Sequence, residues 1–116
     1  MKQRKLEMLL EQVEGFDTPD VSLEQYTTPA PIAAELLHLA YMKDDLKDTV
    51  YDLGCGTGIL AIGAKLLGAK KVVGFDSDQY ALKIAEKNAK KMNVDVEFIC
   101  QDIGNISGKT QTVVMN

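Results

Sequence analysis

One short segment, DLGCGTG at residues 52–58, constrains the fold of this chain more than any other feature of its sequence. A short apolar run leads into it and an apolar run of helical length follows, so a strand is predicted to turn directly into a helix. Glycines at alternate positions permit a tight turn and let a ligand lie against the backbone, because no Cβ atom is in the way. The N-terminus of the following helix offers free N–H groups and a partial positive charge. The segment therefore predicts a ligand site between a strand and a helix.

From residue 49 onward, short apolar runs alternate with longer helical patterns, which is typical of a parallel sheet covered by helices. About eleven residues join the third predicted strand to the fourth, and they can extend far enough to place the fourth strand beside the first. We therefore predict an α/β fold with a parallel sheet in the order 3-2-1-4. The predicted strands are residues 49–53, 71–75, 94–99 and 112–115, and the helices between them are residues 57–67 and 78–92, with Ser77 or Asp78 as cap.

Two further helices are predicted before the sheet. Residues 3–14 carry apolar side chains at helical spacing, and Gly15 is expected to end that helix. Thr28 is predicted to be the N-cap of the second helix, with Pro29 at its first helical position. The inner face of this second helix is predicted to consist of Ile32, Ala33, Leu36, Leu37 and Ala40.

The composition is typical of one soluble globular domain with no metal site. Hydrophobic residues make up 46% of the 116 positions, charged residues 26%, and no run of apolar residues is long enough to span a membrane. The N-terminus lacks the features of a signal peptide, so we expect a cytoplasmic protein with reduced cysteines. The net charge of −4 excludes a general attraction to nucleic acid, so such a substrate needs a local basic patch. The cysteines, Cys55 and Cys100, and the single histidine, His38, have no metal-ligand spacing.

Three acidic residues follow or end predicted strands and are expected at one edge of the sheet: Asp52, Asp76 and Asp102. The glycine turn also matches the dinucleotide pattern GxGxxA, with Asp76 at the spacing of a ribose-binding acid, so a nicotinamide cofactor is one interpretation. A pyrophosphate would be repelled by Asp52. S-adenosylmethionine instead has no phosphate and carries a sulfonium and an ammonium group, so the acids favour the methyl donor.

The motifs together resemble a known family. The segments DLGCGTG, GFDSD, QD and VVMN resemble those of the class I S-adenosylmethionine-dependent methyltransferases, which have a Rossmann-like fold. With the upstream segment LEQYTTPAPIA, the chain is similar to the archaeal and eukaryotic enzymes that methylate N6 of an adenosine in small-subunit ribosomal RNA. The resemblance extends from about Leu23 to Asn116 and implies an enzyme that uses S-adenosylmethionine and acts on ribosomal RNA.

The resemblance also implies roles for individual residues. Asp52 and Gly54 would contact the methionine part of the donor, Gly56 and Gly58 would line its path, and Asp76 would bind the ribose hydroxyls. The segment that closes over the donor would contain Gln25, Tyr26, Thr28 and Pro29, although related sequences more often have proline where this chain has Thr27. Asp102 would bind the adenine amino group, with Ile103 beside it.

Asn116 resembles the first residue of the Asn-Pro-Pro-aromatic motif of these amino-methyltransferases, and we predict it to be catalytic. An exocyclic adenine amine is a weak nucleophile. An amide oxygen that accepts a hydrogen bond from one of its N–H groups helps to orient its lone pair. The same motif serves other planar amines. Methylation of a protein glutamine amide or of a DNA adenine is therefore an alternative, and an inactive scaffold that binds the donor is another.

The resemblance divides the chain into residues 1–48, with the N-terminal helices and the donor-closing segment, and residues 49–116, the donor-binding half. The family fold has three more strands than this sequence, so we expect a fragment, truncated after the fourth strand and inactive alone. Eukaryotic relatives use a small zinc-containing activator subunit that pairs along a sheet edge. Such a subunit is a candidate partner here beside the RNA substrate.

Overall fold

A computed structural model describes residues 1–15 and 28–101, together with the backbone of residues 112–115. The described part of the chain contains four helices and four strands. In chain order they are α1 (Gln3–Leu10), α2 (Ala30–Met42), β1 (Thr49–Leu53), α3 (Ile59–Leu66), β2 (Lys71–Asp76), α4 (Gln79–Lys91), β3 (Glu97–Cys100) and β4 (Thr112–Met115).

The four described strands form one sheet in the order β3-β2-β1-β4, and every pair is parallel. The predicted α/β fold with a parallel sheet is confirmed. The connections through α3 and α4 cross the sheet in the same direction, so right-handed crossovers place both helices on one face. Helix α2 packs against α3, and α1 packs against both.

The element boundaries follow the predicted ones most closely where the chain has strong local signals. Strand β1 occupies the predicted residues. Helix α3 is followed, after its C-cap residue, by Gly68, whose φ of 102° lies in the left-handed region. Helix α4 begins after Asp78, whose side chain accepts hydrogen bonds from the N–H groups of Tyr80 and Ala81.

Two predicted boundaries were wrong by several residues. Helix α1 ends at Leu10 rather than near Gly15, because the next residues form tighter turns in which Val13 N–H donates to Leu10 O. Strand β3 begins at Glu97 rather than Val94. The N–H of Val94 donates to Ala89 O and closes the C-terminus of α4.

The prediction for the start and inner face of α2 was partly wrong. The N-cap residue is Pro29, not Thr28, and no side chain caps the helix. Its buried residues are Ala33, Ala34 and Leu37. The predicted inner residues Ile32 and Leu36 are instead 51% and 54% exposed. A narrow stripe of mostly small side chains faces α1 and α3, so the larger side chains on either side of it remain outside.

Helices α2 and α3 approach closely at Gly63, where an added Cβ atom would overlap Leu37 Cδ1. The core around this contact includes Leu6 and Leu10 of α1 together with Val50 of β1. Within the described ranges, no helix is both long and apolar enough to cross a membrane. Cys55 and Cys100 are both free.

Gly74 in the middle of β2 yields a prediction about packing beside the glycine turn. A Cβ atom there would lie 2.9 Å from Cys55 Sγ and 2.9 Å from Phe98 Cδ1. We expect Gly74→Ala to lower the free energy of unfolding by about 1–3 kcal/mol, because two packed side chains must move. Urea unfolding followed by circular dichroism measures this change.

The control is the same substitution in a background that carries Cys55→Ala and Phe98→Ala, which removes the two neighbouring groups. The destabilisation caused by Gly74→Ala should be smaller in that background. An equal loss in both backgrounds would show that steric overlap is not its cause.

Candidate functional site

The glycine turn lies at the carboxyl end of β1 and passes over the end of β2. The N–H groups of Gly54 and Cys55 both donate to Phe75 O, at 2.8 and 2.9 Å. Gly58 is the N-cap residue of α3 and has φ of 94°. A Cβ atom at Gly58 would lie 3.2 Å from Ala85 Cβ, so both conformation and space require glycine at this position.

At Gly56 the backbone conformation alone requires glycine. Its φ is 54°, which side-chain-bearing residues rarely adopt, but a Cβ atom there would meet no described atom within 4 Å. The backbone at Gly56 therefore has open space beside it in the described part of the chain. This is the arrangement expected where a ligand lies against a main chain.

The Asp76 carboxylate holds the turn in place from the end of β2. Its Oδ2 accepts a hydrogen bond from Gly56 N–H at 2.9 Å, and its Oδ1 accepts one from Asp78 N–H at 2.9 Å. A carboxylate has about four acceptor positions, so each oxygen retains capacity for another donor. Asp76 can therefore support the loop and still accept hydrogen bonds from two ligand hydroxyls.

The Asp52 carboxylate is buried beside the glycine turn. The residue is 1% exposed, and neither carboxylate oxygen has a partner among the described residues. Burial raises the pKa of Asp52 from 3.8 to about 7; the backbone N–H of Ala61 in α3 opposes this rise, and the charge of Asp76 adds to it. The Ala61 amide acts on the carboxylate without meeting hydrogen-bond geometry. An ionised Asp52 is therefore a suitable site for a cationic or hydrogen-bond-donating ligand group.

The Cys55 thiol lies in the same turn but is unsuited to nucleophilic chemistry. It is buried, and burial raises its pKa, with further increases from the charges of Asp52 and Asp76. A thiol in this environment stays protonated and behaves as a packing group. The chemistry available to the described turn is therefore binding and orientation.

Sequence reasoning missed Asn88, a fully buried amide in α4. Its Nδ2 donates to the backbone oxygens of Thr57 and Glu14, and its Oδ1 accepts the N–H of Glu14. The sequence contained a signal for it, because Asn88 lies beside the inward-facing Ala85 and Ala89 on a helix whose other polar residues face outward. A polar residue on an inner helix face usually has specific partners.

The structure brings five of the predicted site residues together at the ends of β1 and β2 and in the turn between β1 and α3. Thr28 lies just before α2; it is buried, and its hydroxyl has no hydrogen-bond partner in the described part of the chain. The five residues that are brought together are Asp52 in β1, Asp76 at the end of β2, and Gly54, Gly56 and Gly58 in the turn. The remaining predicted residues, Gln25, Tyr26, Asp102, Ile103 and Asn116, lie outside the described residues.

Comparison with known proteins gives consistent matches. The family model described as ribosomal protein L11 methyltransferase (PrmA) matches residues 27–116. The rRNA N(6)-adenosine-methyltransferase METTL5 of Danio rerio is 42% identical, over 100% of this chain and 59% of that protein. The crystal structure of a "putative RNA methyltransferase" from Pyrococcus horikoshii has a TM-score of 0.92 and 37% identity, over 100% of this chain and 58% of that chain.

A further solved structure contains a ligand. The RNA methyltransferase from Salinibacter ruber in complex with S-adenosyl-L-homocysteine has a TM-score of 0.62 and 37% identity, over 70% of this chain and 53% of that chain. This chain spans between 48% and 59% of the length of the first curated relatives that it matches. This chain therefore corresponds to about half of such a protein.

The buried Asp52 predicts an unusual pH dependence of stability. The folded protein binds the Asp52 proton more tightly than the unfolded chain, so its contribution to stability falls as pH rises from 3.8 to about 7. The difference between these two pKa values corresponds to about 4 kcal/mol. We expect Asp52→Asn to remove this decline, which thermal unfolding of both proteins at a series of pH values measures.

The critical observation is the slope of stability against pH, because the buried asparagine amide lowers stability by an amount that does not depend on pH. Asp95→Asn, at an exposed position, is the control for the loss of one negative charge. Parallel stability curves for wild type and Asp52→Asn would contradict a raised pKa.

Proposed function

Because the chain belongs to the family of the matched PrmA model, within the class I S-adenosylmethionine-dependent methyltransferases, we propose that its glycine turn binds S-adenosylmethionine. We further propose that the whole enzyme methylates N6 of adenosine in ribosomal RNA. The observation that carries the donor assignment is the buried Asp52 carboxylate, which has no hydrogen-bond partner among the described residues and lies beside a glycine turn with open backbone at Gly56.

The charges of the turn support a methyl donor over a dinucleotide. Asp76 is close enough to Asp52 for its charge to raise the pKa of the Asp52 carboxyl group. A pyrophosphate beside two carboxylates would be repelled, whereas the ammonium group of S-adenosylmethionine would give Asp52 the partner that it lacks. When bound, S-adenosylmethionine supplies an electrophilic methyl group, and the residues of this chain bind and orient it.

The proposal assigns a separate contact to each residue of the turn. Asp52 and Gly54 contact the methionine part, and Asp76 accepts hydrogen bonds from the ribose hydroxyls through its remaining acceptor positions. Gly56 and Gly58 line the donor's path along the backbone. The buried hydroxyl of Thr28 is a further contact, because it also lacks a described partner.

The proposal extends to residues outside the described ranges. Gln25 and Tyr26 would close over the donor, and Asp102 with Ile103 would contact its adenine. The amide oxygen of Asn116 would accept a hydrogen bond from an N–H group of the substrate amine. This bond would orient the lone pair of the amine for attack on the methyl group.

The proposal also extends to the organisation of the whole enzyme. Residues 49–116 form the donor-binding half, with the strand order 3-2-1-4 as the first part of a larger sheet, and residues 1–48 precede it. At the edge of the described sheet, β4 has one strand neighbour, so a zinc-containing activator subunit could pair there in the cytoplasmic enzyme.

Two observations favour RNA as the substrate. The Danio rerio rRNA methyltransferase matches the full chain, whereas the PrmA family model begins at residue 27. The N-terminal residues thus have counterparts in an enzyme named for RNA methylation. In addition, three exposed basic residues lie at the start of α1 and just before it, Lys2, Arg4 and Lys5, and they are suited to phosphate contacts in a chain of net charge −4.

Calorimetric titration of this chain tests the donor assignment. We expect S-adenosylmethionine and S-adenosylhomocysteine to bind and NADH not to bind. Asp76→Asn should weaken donor binding by about tenfold or more, because it removes a charged acceptor and disturbs the hydrogen bond to Gly56.

Asp95→Asn is again the matched control, since it removes an acid of the same size from an exposed position, and it should leave the affinity unchanged. Binding of NADH would overturn the donor assignment. Equal donor affinities for Asp76→Asn and wild type would remove Asp76 from the site.

Methyl transfer by the full-length enzyme tests the substrate. We expect incorporation of labelled methyl groups into ribosomal RNA, recovered as N6-methyladenosine after nuclease digestion, and loss of this product with Asn116→Ala. Ribosomal protein L11, a protein with an accessible glutamine, and adenine-containing DNA are the comparison substrates. Preferential labelling of any of them would replace the RNA assignment, and donor binding without transfer would favour a scaffold.

A further inference from the structure

Asn88 joins three segments that are far apart in the sequence. Its Nδ2 donates to Thr57 O and to Glu14 O, each at 2.9 Å, and its Oδ1 accepts Glu14 N–H at 2.9 Å. Asn88 itself is fully buried in α4. One amide therefore connects α4 to the glycine turn and to the residues that follow α1.

We propose that Asn88 is a positioning residue of the donor site. It sets the orientation of the peptide between Thr57 and Gly58, and it makes donor affinity depend on the N-terminal segment of residues 1–15. The inference rests on the proposed function, because it concerns the affinity of the turn for S-adenosylmethionine.

The first step of the argument concerns the peptide between Thr57 and Gly58. Its carbonyl oxygen accepts the hydrogen bond from Asn88, and its N–H donates to Cys55 O at 2.9 Å. Hydrogen bonds on opposite sides fix the plane of this peptide. Since Gly58 is the N-cap residue of α3, the plane also sets where the free N–H groups of that helix begin.

The second step concerns the N-terminal segment. Asn88 bonds to both backbone groups of Glu14, as one residue does with its partner at a hydrogen-bonded position of an antiparallel sheet. The same amide group bonds to Thr57, and a displacement of Glu14 therefore removes part of the support of the turn. Loss of a buried hydrogen bond leaves its partners unsatisfied, which is costly compared with loss of an exposed one.

Exposed contacts between α4 and the same segment provide a comparison within the molecule. Lys87 Nζ lies 3.3 Å from Glu14 Oε2, and Lys91 Nζ donates to Gln12 O at 2.6 Å. Water can replace both contacts, so each contributes little to the position of the segment. Lys87→Ala and Lys91→Ala are therefore matched controls for the loss of a link between α4 and the N-terminal segment.

The experiment measures S-adenosylmethionine affinity by calorimetry, with the folded fraction of each variant determined by circular dichroism. We expect Asn88→Ala to raise the Kd about tenfold and the two lysine variants to stay within about twofold of wild type. Amide hydrogen exchange without ligand should be faster at Glu14 and Gly58 in Asn88→Ala. A folded Asn88→Ala with wild-type affinity would overturn the proposal.

Asn88→Asp separates positioning from a general loss of stability, and it serves if Asn88→Ala does not fold. As a carboxylate it has no donor for Thr57 O, but a protonated carboxyl group regains one. Burial at this position raises the pKa of the carboxyl group above its ordinary value, so the ratio of its Kd to the wild-type Kd should fall as the pH is lowered from about 8 to about 6. A ratio that does not change with pH would count against positioning through this hydrogen bond.

Failure of the proposed function has a different signature. Wild-type protein that is folded and binds no S-adenosylmethionine would refute the donor assignment, whatever Asn88 does. Hydrogen exchange at Glu14 and Gly58 reports on Asn88 without any ligand. Unchanged exchange in Asn88→Ala would therefore overturn the positioning role on its own.

Discussion

The two carboxylate oxygens of Asp76 accept hydrogen bonds from two backbone N–H groups. One belongs to Gly56 in the glycine turn and the other to Asp78 at the start of α4. These bonds form at the end of β2, where the chain has just left the sheet. The turn after β1 and the N-terminus of α4 are thereby fixed relative to one side chain. The open backbone at Gly56 and the cap of α4 by Asp78 both depend on that side chain, so the site and the helix layer share one support.

Asp52 carries a cost that the described fold does not offset. A buried carboxylate without partners destabilises the folded state, and local structure could be satisfied by an apolar residue at this position. Proteins retain such conflicts most often at functional sites, where a ligand supplies the missing partner. The position of Asp52 at the end of β1, beside the first turn of α3, is consistent with this explanation.

The parts of the fold that depend on local signals were predictable from the sequence. The alternation of apolar runs and helices predicted the parallel sheet. The glycine turn, Gly68 and Asp78 predicted where α3 and α4 begin or end, because each requires a specific backbone conformation or cap. The inner face of α2 was not predictable, since Ile32 and Leu36 are as apolar as the residues that are buried. Which stripe faces inward depends on the close approach at Gly63.

Long-range hydrogen bonds explain what sequence reasoning missed in the site. The acids and glycines of the turn are close in sequence and share a known spacing, so they could be grouped in advance. Asn88 could be recognised as an inward-facing polar residue, but its partners could not be identified. Glu14 and Thr57 lie 74 and 31 residues away from it along the chain.

That separation has a consequence for synthesis on the ribosome. Glu14 is made 74 residues before Asn88. At about 5–20 residues per second, the residues that follow α1 therefore wait roughly 4 to 15 s for their buried partner in α4. During that interval the apolar side chains of Leu6 and Leu10, which are later buried, lack part of their final surroundings. Of the described elements α1 is made first, but the residues that follow it gain their buried partner in α4 only after this interval, during which the nascent chain exposes apolar surface that is prone to aggregation.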